Sequence, residues 1–332
     1  MRYSILGKTG LKVSRLGFGG IPIQRIDESR TKTLFEKLVA SGVNFIDTAR
    51  GYTVSEAYIG AALKGIRQHF VLATKSGAKT KEEMSRDIDI SRKNLNTDYI
   101  DLYQIHNPTP AAFETILAPG GALEALLEAK AAGKIGHIGF TTHSLELLQK
   151  ALEMPWVETV MFPYNIVETQ VEPLLSQIQE RNIGFIVMKP LAGGAIEDVT
   201  LALQFVNATP HVSVVIPGMA EPEELEQNLA AMELDAPLNR QQLEEIRRTL
   251  GTQFCRRCNY CAPCTQGIDI PAVFLLEGYL RRYGLADWAK TRYAGLAHKA
   301  TECVQCGDCE PRCPYNLPIR QMLQKASESF GE

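Results

Sequence analysis

The sequence runs to 332 residues, 45% hydrophobic and 22% charged, the proportions of an ordinary globular chain with room for one large domain and a small one, or two medium ones. Its formal net charge of −3 gives no clustered positive field of the kind that draws nucleic acid. The opening stretch lacks a signal-peptide apolar core, and no run nears the roughly 20 uninterrupted apolar residues that span a bilayer. Neither nucleic acid nor membrane is expected as a partner, and the expected compartment is the cytoplasm.

In chain order, RYSILGKTGLKVS reads as a hairpin turning around Lys8–Gly10, placed to plug the lower end of a barrel. Strand-like runs follow at 16–20 (LGFGG), 44–49 (NFIDTA), 70–76 (FVLATKS), 99–106 (YIDLYQIH), 135–142 (IGHIGFTT), 158–165 (ETVMFPYN), 183–191 (IGFIVMKPL) and 212–218 (VSVVIPG). Between them, stretches such as SRTKTLFEKLVASG, GGALEALLEAKAAGK and VEPLLSQIQERN repeat apolar residues at three- and four-residue steps, and several end in Gly, as amphipathic helices do. Eight strands each followed by a helix make a parallel sheet with covered faces. Eight such units in about 250 residues fit a (β/α)8 TIM barrel. A doubly wound sheet would need a G-x-G-x-x-G turn after its first strand, and LGFGGIPIQ is not one. Within the barrel, HNPTPAAFETILAPGG (106–121) reads as the longest rim loop, a candidate wall for specificity. Two further helices, EPEELEQNLAAME and NRQQLEEIRRTL, end at Gly251, where the composition turns to cysteine, arginine and proline. The expected division is a barrel over residues 1–250 and a small α-helical domain over 251–332.

In a TIM barrel the chemistry sits at the carboxyl ends of the strands. Asp47 ends the second strand, Tyr52 lies in the following loop, Lys75 ends the third and His106 ends the fourth. Charged residues at buried strand ends are rare unless paired, so Asp47 and Lys75 are expected to form an ion pair. A phenol with a pKa near about 10 is a weak acid at neutral pH, and a neighbouring ammonium is expected to bring it down towards the working range. His106 is placed to orient a carbonyl oxygen. A lone lysine or histidine at a strand end is more often structural than catalytic; four such groups in order on one rim are not.

On these residues (FIDTARGY, LATKSG and LYQIHN) the sequence resembles the aldo-keto reductase family over the whole barrel. The resemblance implies a nicotinamide-dependent oxidoreductase acting on a small carbonyl or alcohol, with Tyr52 as proton donor, Lys75 and Asp47 setting its acidity, and His106 orienting substrate. For the cofactor it implies Gly20, Met188 in place of a stacking aromatic, and Thr141 and Thr142 where relatives often carry Ser-Asn. It adds Leu191, Gly193, Gly218 and Met219 along the pyrophosphate, and Asn228 near the adenine. Met161 stands where a Gln is common. The stretch from Gly218 to Gln227 contains no Lys or Arg but contributes Glu221, Glu223, Glu224 and Glu226. Carboxylates repel a 2′-phosphate and can accept from a free ribose hydroxyl, which favours NAD(H) over NADP(H); a solvated acidic helix face is the plainer alternative.

All eight cysteines lie between Cys255 and Cys313. Cys303 to Pro314 reads C-x2-C-x2-C-x3-C-P, the bacterial ferredoxin run whose fourth Cys ligates the other cluster. CRRCNYCAPC repeats the spacing of three, with its fourth Cys one residue early. Helical sequence lies between, which resembles the α-helical ferredoxin type. By pattern, Cys255, Cys258, Cys261 and Cys313 would hold one [4Fe–4S] cluster, and Cys303, Cys306, Cys309 and Cys264 the other. Two four-thiolate zinc sites are the alternative, although the third Cys of each run is redundant for zinc. Arg256, Arg257, Arg281, Arg282, Arg292 and Lys299 make this region basic. They could offset cluster charge, dock a ferredoxin- or flavodoxin-type electron carrier, or simply form a solvated face.

Three functions follow. One is hydride transfer between nicotinamide and a carbonyl or alcohol, with the clusters exchanging electrons or bracing structure. The second is a redox-neutral epimerase, isomerase or eliminase with a retained NAD. The third is a non-enzymatic electron-transfer or scaffold protein, against which the complete Asp47, Tyr52, Lys75, His106 set speaks. No flavin motif is visible to couple hydride transfer to single electrons.

Overall fold

The computed structural model describes residues 1–332. The chain opens with an antiparallel hairpin of β1 (Tyr3–Ile5) and β2 (Lys12–Ser14), whose turn ends at Gly10 in the left-handed region. Leu6 and Val13 on this hairpin are fully buried against Phe45, Leu102, Ile186 and Val214. Those are inward side chains of barrel strands, so the hairpin closes one end of the barrel as the sequence suggests.

The barrel then runs β3 (Phe18–Gly19), α1 (Glu28–Ser41), β4 (Phe45–Asp47), α2 (Ser55–Ala62), β5 (Val71–Ser76), α3 (Lys81–Asn94) and β6 (Ile100–His106). It continues through α4 (Pro110–Leu117), α5 (Ala122–Ala131), β7 (Ile135–Thr141), α6 (Leu145–Leu152), β8 (Thr159–Pro163), α7 (Leu175–Glu180), β9 (Gly184–Met188), α8 (Val199–Ala208) and β10 (Val214–Ile216). Strands β3 to β10 pair in parallel, each with its neighbour in sequence. Parallel bridges from Leu16 to Val215 and from Gly19 to Gly218 bring the first strand round to the last. The (β/α)8 barrel is therefore the fold. Local chemistry sets its elements: in α3, Thr80 and Glu83 form a capping box while Met84 and Ile88 bury one stripe against the strands.

Residues 106–121 are not the open loop that Pro108, Pro110 and the small residues suggest. Thr109 caps α4, Pro110 takes its first turn where no N–H is needed, and Phe113 and Ile116 are buried. The four-residue spacing between Ala112 and Ile116 is the helical signal here, set among prolines and glycines that read as loop.

Strand alternation builds the site. Phe45 and Ala73 face the barrel interior with Leu102, whereas Ile46, Leu72 and Tyr103 pack outward against helices. Two residues on, the same inner face carries Asp47, Lys75 and Gln104, and then His106.

After α9 (Pro222–Glu233) and α10 (Arg240–Gly251) come α11 (Ile270–Arg281), α12 (Ala286–Ala294) and α13 (Ile319–Phe330). The helices expected between the cysteine runs are α11 and α12; α13 was not expected. These elements share a small core of 14 buried residues that includes Cys261, Cys309 and Cys313, and they sit over the mouth of the barrel.

Candidate active site

Lys75 Nζ forms a short ion pair with Asp47 Oδ2 and donates to the carbonyl oxygen of Thr48 at 2.9 Å. Gln104 Nε2 donates to the other oxygen of Asp47 at 3.1 Å. Burial pushes the carboxyl up and the amine down, while attraction between the two opposes both shifts. Neutralising either one alone would strand a buried charge, so the pair is stable as ions.

Tyr52 sits on a tightly tied loop. Its N–H donates to Ala49 O at 3.0 Å, Arg50 N–H to Lys75 O at 3.0 Å, and Ser55 Oγ to Gly20 O at 2.8 Å. Arg50 also pairs at 2.8 Å with Glu56, a 1% exposed carboxylate that accepts from Thr74 and Ser91 as well. This buttress was not anticipated, because Glu56 reads as an ordinary helix residue. The Lys75 ammonium lies 4.9 Å from the centroid of the Tyr52 ring, and the His106 ring meets that ring edge-on at 6.0 Å. Four groups expected on one rim are thus together.

Their electrostatics differ from expectation at Tyr52. Burial pushes the phenol well above its ordinary value and the Asp47 and Tyr283 charges push the same way, with only Arg292 opposing. Burial of the phenol dominates, so it is held protonated rather than brought towards neutrality. Burial, with the Lys75, Arg292 and Lys189 charges, drops the His106 imidazole to about 3. It is a neutral donor and acceptor at any working pH.

A cavity of about 80 Å3 faces Tyr52 and Asp47, walled by Gly20, Met161, Met188 and Gly218, and by Tyr279 and Tyr283 from α11 and its C-terminal turn. A groove of about 150 Å3 runs on from it past Leu191, Gly193, Gly218 and Arg282. Of the expected cofactor residues, Gly20, Met188, Leu191, Gly193 and Gly218 therefore line one continuous path. Thr141 and Thr142 do not: both are buried, and their hydroxyls accept from the N–H groups of Asn107 (3.1 Å) and Ser144 (3.0 Å). Met219 and Asn228 are buried behind the path. Gly193 has a φ of +65°, and a Cβ there would meet the Tyr283 hydroxyl at 3.1 Å, so its bareness also seats the cap.

The acidic stretch is not a free face. Glu221 pairs with Arg30 (2.6 Å), Glu226 with Lys37 (3.0 Å), and Glu224 with Arg25 (2.9 Å). Glu224 also accepts from the N–H groups of Ala220 (2.6 Å) and Glu221 (3.1 Å), filling the anion-seeking start of α9.

Of the basic residues of the C-terminal region, Arg281 is exposed and pairs on its own helix with Glu277, while four others reach the barrel. Arg257 donates to Glu168, which is fully buried, at 2.6 Å and to His143 Nδ1 at 3.0 Å. Arg256, 6% exposed, donates to Val167 O at 3.2 Å. Arg282 donates to Gly193 O at 3.0 Å and Arg292 to Gly51 O at 3.2 Å. These bonds clamp the C-terminal helices onto the loops that carry Tyr52 and line the groove. In sequence they are isolated arginines 89 residues or more from their partners.

The cysteine runs are structural duplicates. Arg257 and Gln305, two residues after the first Cys of each run, have φ of +60° and +59°, and Asn259 and Gly307 repeat the left-handed turn at +66° and +84°. Asn and Gly are the residues that adopt it most readily. Cys255, Cys258, Cys261 and Cys313 ring one cavity; Cys264, Cys303, Cys306 and Cys309 ring another. Burial, with repulsion from Cys255 and Cys258, pushes the Cys261 thiol up to about 12. Four thiols around one cavity become ligands when a cation draws off their protons, which is the donor chemistry an iron–sulfur cluster requires.

Comparison with known proteins bears on both regions. The family model described as "Aldo/keto reductase family" matches residues 15–201, more than half of the chain. One described as "4Fe-4S dicluster domain" matches residues 254–318, which decides for clusters over paired zinc sites. L-galactose dehydrogenase of Arabidopsis thaliana is 27% identical, covering 74% of this chain and 93% of that protein. The NADH-specific methylglyoxal reductase of Escherichia coli is 25% identical over 73% of this chain and 98% of its own length. Among solved structures, aldo-keto reductase AKR11C1 from Bacillus halodurans superposes with a TM-score of 0.65 at 27% identity, covering 75% of this chain and 96% of that one. The chain belongs to the aldo/keto reductase family, and its barrel is followed by a 4Fe–4S dicluster domain.

Proposed function

We propose that the barrel transfers hydride between a nicotinamide cofactor and a small carbonyl or alcohol, and that the chain divides functionally at residues 250/251. The single observation that carries this reading is the grouping of Lys75, Asp47 and His106 about Tyr52, with Tyr52 and Asp47 lining a cavity that continues into the groove by Gly193 and Gly218. A bound nicotinamide supplies the hydride. His106, neutral, holds the substrate oxygen by a hydrogen bond. Tyr52, kept protonated by burial, delivers its proton to that oxygen as negative charge develops. Lys75, fixed by Asp47 and Thr48 O, places positive charge against the phenol as it becomes phenolate. The reading favours NAD(H) over NADP(H), because Glu224 sets a carboxylate on the groove, takes the two backbone N–H groups at the start of α9 and pairs with Arg25. The printed name of the Escherichia coli relative, NADH-specific, points the same way.

The proposed cluster ligands are the two quartets ringing the cavities. Cys255 borders the junction with the barrel and Cys306 is exposed. That gradient suits electrons leaving through the outer quartet to a ferredoxin- or flavodoxin-type carrier. The cytoplasm remains the proposed compartment, in keeping with free thiols.

A redox-neutral reaction with retained NAD draws support from one feature: Tyr279 and Tyr283 close the catalytic cavity while Arg282 and Arg292 tie the cap to both flanking loops. One experiment addresses both readings. Anaerobically purified protein is assayed for oxidation of added NADH and NADPH with a panel of aldehydes, and for released nucleotide after denaturation. Substrate-dependent NADH oxidation supports hydride transfer with exchange. Stoichiometric bound NAD with no turnover of added cofactor supports the redox-neutral course. Neither, with intact clusters, removes the nicotinamide reading.

A further inference from the structure

A cavity of about 400 Å3 lies between the barrel and the C-terminal helices, beyond the catalytic cavity and the groove. Its walls carry Lys189, Arg257, Arg281, Arg282 and Lys325 against a single carboxylate, Glu277. Some of that charge is already answered: Glu277 pairs with Arg281 and Arg282, and Glu168 stands behind Arg257. Even so the cations outnumber the carboxylates by three.

The second observation is Lys189. It follows β9 with a positive φ of +56°, a conformation that is strained for a long side chain and holds this one at the junction. Its amine makes no hydrogen bond or ion pair within the protein, and the half-buried side chain lines the cavity beside Arg257 and Arg282. A cation on a cavity wall with no partner of its own is a ready contact for an anion that enters.

The third is connectivity. Lys189 and Tyr283 wall this cavity and also the catalytic cavity that holds Tyr52. Lys189 and Tyr283 therefore form the partition between the two cavities, and a molecule reaching from the junction to Tyr52 must pass them.

We infer that the junction cavity is a binding site for the charged end of the substrate, a small organic carboxylate or phosphate ester, whose carbonyl or carbinol carbon reaches Tyr52 and His106 past Tyr283. The inference rests on the hydride-transfer reading for its chemistry and on the cavity alone for its anion. The cap is then part of the substrate site: Lys189 comes from the barrel, while Arg257, Arg282 and Lys325 come from the C-terminal region.

The test uses anaerobic holoprotein, with citrate and inorganic phosphate as anion probes in calorimetry, with and without saturating NADH. It adds steady-state reduction of benzaldehyde and 4-carboxybenzaldehyde. Wild type is compared with Lys189→Met and Lys325→Gln; Lys325 is exposed on α13, so its replacement leaves the fold intact even if that of Lys189 does not. The expected result is saturable binding of citrate, one per chain, that persists with NADH bound and weakens about tenfold or more in Lys189→Met and by about half that factor in Lys325→Gln. Citrate inhibits competitively against the aldehyde, and the preference for 4-carboxybenzaldehyde falls in both variants. Absence of saturable binding, binding abolished by NADH, or equal binding in wild type and Lys325→Gln overturns the site. Protein that binds citrate as expected but reduces neither aldehyde keeps the anion site and loses the hydride-transfer reading. Protein that reduces both aldehydes equally and binds no citrate loses the site alone.

Discussion

One apolar cluster joins 63 buried residues, all of them before Gly251 except Phe254, while a second, after Gly251, gathers only 14, three of them cysteines. The barrel has enough apolar surface to fold on hydrophobic burial. The C-terminal region is in the size range where a small core needs metals or covalent ties, and its cysteine quartets tie the chain together only once a metal centre fills them. Yet this weaker region supplies Tyr279, Tyr283, Arg282 and Arg292 to the rim of the stronger one. The difference teaches that stability and function are divided unevenly: the barrel brings the reacting groups, and a cluster-dependent cap shapes the space in front of them.

The sharpest separation of the two regions should come from Tyr52→Phe. Removing the proton donor lowers kcat for carbonyl reduction by about 10²–10⁴, while iron content and the visible spectrum stay those of wild type. Loss of the clusters in this variant would mean the two regions cannot be told apart this way. Next in size, Arg257→Met leaves Glu168 buried without its partner and should cost about 3–5 kcal/mol at the junction. The cost is read as a lower denaturant midpoint for cluster loss, and Arg257→Met combined with Glu168→Gln should recover part of it. Equal losses in the single and double variants would mean that the pair is not what ties the cap down.

The smallest expected effect is a flat line. With Tyr52 held above its ordinary value and His106 at about 3, the forms needed for carbonyl reduction, protonated phenol and neutral imidazole, are both fully present from about pH 5 to 9. The kcat for reduction should therefore vary less than about twofold over that range, as far as these two groups set it. Alcohol oxidation needs the phenolate, whose fraction rises tenfold per pH unit below the phenol's pKa, so that direction should climb steadily with pH. A reduction rate that falls between pH 7 and 9 would instead restore the lowered phenol that the Lys75 charge alone suggests.

How much of this was legible follows the range of the interactions. Asp47, Lys75 and His106 announce themselves because strand alternation and strand-end position are local properties, and the cysteine quartets because their spacing fixes which thiols share a turn. The hairpin plug is a local pattern too. The raised Tyr52 is not legible because the sequence shows Lys75 as a neighbouring charge without showing how deeply the phenol is buried. Thr141 and Thr142 sit where a family pattern puts cofactor contacts, but their hydroxyls turn to adjacent backbone N–H groups. The clamp was invisible: Arg257 finds Glu168 across 89 residues, and Arg292 finds Gly51 across 241. An arginine in a basic segment has no mark that tells a buried tie from a solvated surface.

The division between a self-sufficient barrel and a cluster-dependent cap is tested most directly by amide hydrogen exchange on the holoprotein before and after anaerobic iron chelation. The account predicts that protection is lost across residues 255–318 and along the rim at 50–53 and 189–194, while strands β5, β6 and β7 keep theirs. Unchanged rim protection after chelation, or loss of the strands together with the cap, would contradict it.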